Sequence, residues 1–176
     1  LFVFFLLLSF LSFSQTRYID EVFSHVSKIS DVNYANNITI LPLLQGLPTA
    51  TDSLLCDIYY PTNDTSTNRP AVILLHDGSF LPPVLNGLPV GSKEDSSIVE
   101  SCIRWAKKGY VAIAMNYRLG WNPASPSQVF RASTMLQANY RGIHDAKAMV
   151  RFLRKTVAED GNPFGINNNQ IILGGH

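Results

Sequence analysis

Two cysteines in 176 residues, Cys56 and Cys102, are too few to define a disulfide framework. Charge is scarce as well. Asp, Glu, Lys and Arg make up 15% of the chain, and 14 basic against 13 acidic side chains leave a formal net charge of +1. Such a balance offers no electrostatic footprint for nucleic acid, so no nucleic-acid partner is expected. There is no like-charge tail, and a hydrophobic share of 46% excludes a disordered chain. No His/Cys/Asp cluster has metal-ligand spacing, so no metal is expected. No Gly-x-Gly-x-x-Gly follows an apolar run, which counts against dinucleotide binding, and no cofactor is expected. Internal repeats are absent.

What is present begins with residues 1–14, LFVFFLLLSFLSFS, which hold no charge and are apolar at every position except three Ser. A spanning helix needs about 20 apolar residues, so this run is short for a membrane anchor and none is expected. It fits the apolar region of a secretory signal peptide, with Ser12 and Ser14 as small residues before Gln15, and it is incomplete at its start because no basic region precedes it. The expected location is therefore secreted or periplasmic, with residues 15–176 as the mature part. Export places Cys56 and Cys102 where they could pair, although two buried small hydrophobes is an equal reading. Asn37-Ile38-Thr39 and Asn63-Asp64-Thr65 match the glycosylation acceptor pattern, a match that chance often produces.

The remaining chain alternates between two periodicities. After a helical or irregular lead-in from Tyr18 to Lys28, β signals appear at Ile38–Leu41 and Leu54–Tyr60, the second closed by Pro61. Turn residues between them suggest an antiparallel hairpin. Ala71–Leu75 is a continuous apolar run, the mark of a strand covered on both faces. Ile98, Cys102, Trp105 and Ala106 share one helical face over Ile98–Lys108, and Gly109 stops that helix. Tyr110–Tyr117 is a second buried strand. A helix over Met135–Ala158 follows, broken by Asp160-Gly161-Asn162-Pro163, and Gln170–Gly175 is a third buried strand. Strand, helix, strand, helix, strand after a hairpin predicts an α/β fold with parallel strands.

Two segments carry the chemistry. His76-Asp77-Gly78-Ser79-Phe80 lies at the carboxyl end of the first buried strand, the end at which open α/β sheets bind ligands. A small Gly-containing turn there can aim backbone N–H groups at the oxygen that becomes negative when an acyl carbonyl is attacked. An ordinary loop, in which Asp and Gly are common, is the plainer reading. The other segment is Ile171-Ile172-Leu173-Gly174-Gly175-His176, a strand running toward the start of a Gly-x-Ser-x-Gly nucleophile elbow. The sequence stops there, and the next position is where the nucleophilic Ser is expected; an accidental Gly-Gly-His after a strand is an equal reading of this segment by itself.

Taken together, five blocks in register over residues 38–176 resemble the N-terminal half of secreted esterases of the α/β-hydrolase fold, the carboxylesterase and lipase group. The blocks are Cys56-Asp57-Ile58-Tyr59-Tyr60-Pro61; His76 to Phe80; Gly109-Tyr110 through Asn116-Tyr117-Arg118-Leu119; Asp145-Ala146-Lys147-Ala148 through Phe152-Leu153-Arg154; and Gly174-Gly175-His176. The resemblance implies an α/β-hydrolase fold, truncated, in which residues 15–176 form the first half of a catalytic domain. It implies a serine hydrolase of small-molecule or lipid-like carboxylic esters. Gly78 and Ser79 would supply two oxyanion-hole N–H groups, His76 would support that loop, and Gly175 and His176 would begin the elbow. No member of the catalytic triad is expected within residues 1–176, because acid and base follow the Ser in this fold, so residues 15–176 alone are expected to be inactive.

The sequence departs from the family at Asp77 and Ser79, where Gly, or Gly or Ala, is usual. Asp77 should point away from the oxyanion, into a loop-fixing hydrogen bond. A non-catalytic homologue that binds a ligand or partner protein is the alternative, as is a peptidase, polyester esterase or feruloyl esterase of the same fold. Among Asp145 and the basic residues Arg118, Arg141 and Arg151, Arg118 ends a buried strand, which suggests a structural ion pair. Lys147, Arg154 and Lys155 read as a solvated helix face, and His25 and His144 as surface or helix-face residues.

Overall fold

The computed structural model describes residues 16–175; the signal-like segment 1–14 and His176 lie outside the described residues. Five strands form one sheet in the order β1-β2-β4-β3-β5. β1 (Val26–Thr39) and β2 (Ala50–Pro61) form the antiparallel hairpin, and β2 pairs antiparallel with β4 (Val111–Met115). β3 (Arg69–Leu75) runs parallel to both β4 and β5 (Ile166–Gly175). The expected α/β architecture, a hairpin followed by parallel strands alternating with helices, is what the chain adopts.

The helices are α1 (Pro83–Asn86), α2 (Ser96–Lys107) and α3 (Gln128–Ala158). From β3 the chain steps to one side through α2 to reach β4, then back across β3 through α3 to reach β5. Right-handed crossovers in opposite directions put their helices on opposite faces of the sheet. The core accordingly divides in two. Ile58, Ile73, Ile113 and Met115 meet Met149 and Leu153 of α3 on one face, while Tyr59, Ala112 and Ala114 meet Ile98, Cys102 and Ala106 of α2 on the other. β4 shows the division residue by residue: Val111, Ile113 and Met115 fill the α3 side, and the small Ala112 and Ala114 let α2 approach closely. Burying each of Ile58, Ile73 and Ile113 stabilises the fold by about 1.5–3 kcal/mol.

Cys56 belongs to the α3-side core and Cys102 to the α2-side core, so the sheet separates them; both are free and buried. Burial pushes each thiol up to about 12. The structural ion pair at Arg118 is present and tight. Arg118 Nη2 reaches Asp145 Oδ1 at 2.8 Å, and its backbone N–H donates to Oδ2 at 2.8 Å. Among the described residues no helix is long and apolar enough to cross a membrane.

Three expectations are corrected. The first strand begins at Val26, inside what reads as the lead-in, and ends at Thr39; Leu41–Gln45 is a 3-10 turn. α3 starts at Gln128, well before Met135. β5 starts at Ile166 and is no buried strand: among the described residues only β3 flanks it, and Ile172 and Leu173 are 47% and 52% exposed.

Candidate active site

β3 delivers the chain at Leu75 into His76, which is buried. The His76 ring stacks on Tyr117, with centroids 4.4 Å apart and planes 17° from parallel. Tyr117 in turn donates its hydroxyl proton to the His76 carbonyl at 2.8 Å. The His76 Nδ1 meets the carbonyl of Asp77 at 2.6 Å, while Nε2 is buried without a partner. Burial lowers the imidazole below its ordinary value, against the opposing pull of the Asp77 bond, which keeps the ring neutral at pH 7. His76 therefore fixes the loop and is not placed as a proton acceptor.

The three residues after Asp77 all have positive φ: Gly78 at 111°, Ser79 at 52° and Phe80 at 58°. For Ser and Phe that conformation costs on the order of 1–3 kcal/mol each unless the surroundings impose it. Here they do, through the carbonyls. Asp77 O accepts from His76, Gly78 O accepts from the Leu81 N–H at 2.9 Å, Ser79 O from Trp121 Nε1 at 2.7 Å, and Phe80 O from the Gly120 N–H at 2.7 Å. A peptide is planar and trans, so fixing one residue's carbonyl also aims the following N–H in the opposite direction. The N–H groups of Gly78, Ser79 and Phe80 are aimed in this way, and none finds an acceptor among the described residues. Successive free N–H groups on a left-handed turn make an anion-binding concavity.

Ser79 and Phe80 of this turn border an open cleft of about 720 Å³. His76, Ser79, Phe80 and Tyr117 line it from the carboxyl end of the sheet, and Ile143 and Val150 from α3. Gly175 lines it too, because the β3–β5 register sets Gly175 opposite Leu75. The structure thus gathers His76, Ser79 and Gly175 around one cleft, with Gly78 buried in the same turn; His176, the other elbow residue, lies outside the described residues. Asp77 differs from its expected role. Its side chain is exposed at the cleft and accepts no hydrogen bond among the described residues; the backbone carbonyl of Asp77 makes the loop-fixing bond instead. Lys147 and Arg154 are exposed on α3, as expected, and also line the cleft; His25 and His144 are exposed.

Sequence reasoning did not single out Trp121 or Asn86. The indole N–H of Trp121 holds Ser79, and the Asn86 amide donates to Gly78 O, Leu81 O and Val90 O. The only signal for Asn86 was the turn-forming pair Asn86-Gly87. Among the described residues no group of His, Cys, Asp and Glu could hold a metal ion.

Solved structures share the fold. Esterase 2 of the planctomycete Thermogutta terrifontis, phosphorylated by paraoxon, matches with a TM-score of 0.52 at 20% identity, over 84% of this chain and 42% of its own. Esterase B of Lactobacillus rhamnosus matches with a TM-score of 0.50 at 21% identity, over 90% of this chain and 38% of its own. The fold is the α/β-hydrolase fold, in part. The chain spans about two-fifths of the length of these esterases. No protein-family model matches it, and no curated protein does.

Proposed function

We propose that the protein is a secreted serine hydrolase that transfers the acyl group of carboxylic esters to water. The observation that carries the reading is the row of unpartnered N–H groups at Gly78, Ser79 and Phe80, aimed by carbonyls that are all engaged. In this reading a Ser at the position after His176 attacks the ester carbonyl, and a His from later in the chain takes the Ser proton. As the carbonyl oxygen becomes negative it accepts hydrogen bonds from the Gly78 and Ser79 N–H groups, with a third from the residue after the nucleophile. Removing one such donor typically costs about 10²–10³ in kcat, so the geometry of this turn matters more than any contact to the ground-state ester. The substrate is a small-molecule or lipid-like ester, and the uncharged segment 1–14 supports export.

One observation favours a second reading. The Asp77 carboxylate, exposed at the cleft, would oppose a developing oxyanion, which suits a non-catalytic homologue that binds a ligand or partner. The full gene product separates the two. It should hydrolyse p-nitrophenyl acetate and lose that activity to a serine-directed fluorophosphonate, while residues 15–176 alone remain at background. A position after His176 that carries no nucleophile, or a full-length protein that does not hydrolyse esters, would overturn the hydrolase reading.

A further inference from the structure

We infer that Asn86 is a positioning residue that holds the amide-donor turn in its donor-presenting shape, an inference that rests on the hydrolase reading for its catalytic consequence. The turn at Gly78–Leu81 does not stand alone on the sheet. It lies backbone against backbone on the segment from Asn86 to Gly91. A Cβ added at Gly78 would sit 2.7 Å from the Gly91 Cα, and one added at Gly91 would sit 2.8 Å from the Leu81 carbonyl oxygen. Both positions have positive φ, 111° and 127°, so glycine is required at each for space and for conformation.

Asn86 joins these two strips. Its two amide protons serve three carbonyls, Val90 O at 2.7 Å, Leu81 O at 2.9 Å and, as a longer shared bond, Gly78 O at 3.3 Å, and its Oδ1 accepts the Leu88 N–H at 2.7 Å. Two of those acceptors belong to the turn itself. Gly78 O is the carbonyl whose peptide plane aims the Ser79 N–H, and it also accepts the Leu81 N–H that closes the turn. Only a donor fits between three carbonyl oxygens. A carboxylate of the same shape would meet them with like charge.

The far end of this brace is fastened to the sheet. Asp95 accepts the N–H groups of Gly91 at 2.8 Å and Ser92 at 3.1 Å. Lys93 is buried; its N–H donates to Asn116 Oδ1 at 2.7 Å, and its ammonium bridges Asp57 at 2.8 Å and Asp31 at 3.0 Å. Burial alone would raise the Asp57 carboxyl, but hydrogen bonds from Lys28, Lys93 and the Asp31 amide hold it below the ordinary carboxylate range. The buried Lys93–Asp57 pair on β2, with the exposed Asp31 of β1 meeting the same ammonium, thus anchors the segment that Asn86 uses to grip the turn.

The test uses the full-length gene product and the variant Asn86→Asp, which keeps the acceptor for Leu88 and removes the donors. The expected result is a fall in kcat of about 10²-fold with KM for p-nitrophenyl acetate changed little, and a parallel loss of affinity for a trifluoromethyl ketone transition-state mimic. Val84→Ser, on the same short helix and 85% exposed, should match the wild type. The second measurement is independent of activity. The Leu81 amide, which donates to Gly78 O, should exchange with deuterium at least about tenfold faster in Asn86→Asp. A folded Asn86→Asp protein with wild-type kcat, or with unchanged Leu81 exchange, overturns the inference. A wild type without esterase activity overturns the hydrolase reading instead, and Leu81 exchange then decides by itself whether Asn86 holds the turn.

Discussion

His76 carries its ring proton on Nδ1, because the Asp77 carbonyl that it meets at 2.6 Å can only accept. Protonating Nε2 would bury a charge with no acceptor beside it, which is the physical content of its lowered value. The sign follows from linkage. A base that is harder to protonate folded than unfolded contributes stability that is complete above about pH 6.5 and is lost as pH falls through the lowered folded value. His76→Gln should therefore cost about 1–3 kcal/mol at pH 8, and the deficit should shrink at pH 5, as read from thermal unfolding of both proteins at both pH values. At this scale the sequence was legible where letters mark backbone geometry. His76, Gly78 and Ser79 are found at one turn, and Arg118 is paired. Asp77 was misread because a main-chain carbonyl can make a bond that the sequence invites one to assign to a side chain. Asn86 was missed because its three acceptors are brought together only by folding.

α3 illustrates what local pattern can and cannot reveal about an element. Its buried Ala146, Met149 and Leu153 recur with helical spacing, and that part was readable, but Ile143, which the same spacing puts on that face, is 54% exposed. The first turns bury little: Val129, Phe130 and Leu136 are exposed, so no apolar face announces them. Their start is set by Ser127, whose Oγ accepts the Phe130 N–H at 3.3 Å. Ser127→Ala should cost about 0.5–2 kcal/mol and speed amide exchange over 128–134 while leaving 142–156 protected; equal protection in both segments would mean that the cap is idle. β1 was hidden for a related reason. Its register shifts between Ile29 and Val32 and again between Asn33 and Ala35, and Asp31 has a φ of 57°. Each irregularity resets the alternation on which a strand is recognised.

The whole sheet leaves one side of β5 unpaired among the described residues, with Ile172 and Leu173 half exposed on that strand. An apolar strand with free N–H and C=O groups is a template for other chains. Residues 15–176 expressed by themselves should self-associate in sedimentation velocity, and Ile172→Lys should shift them toward monomer. A monomeric unsubstituted polypeptide would show that the edge is protected. The alternation of strands and helices after a hairpin was readable from sequence, and so was the apolar edge at 170–175 in residues 15–176 alone, but the order of the other strands depends on pairing that no local pattern encodes.

The division of the core by the sheet has a consequence for where such a chain can fold. Cys56 and Cys102 face opposite sides, each sealed in apolar surroundings and each with its thiol held up at about 12. Neither can reach the other, and neither offers a thiolate to oxidants or exchange partners at neutral pH. The native packing of residues 16–175 is therefore indifferent to redox potential: crossing from a reducing to an oxidising compartment adds no crosslink to it and removes none.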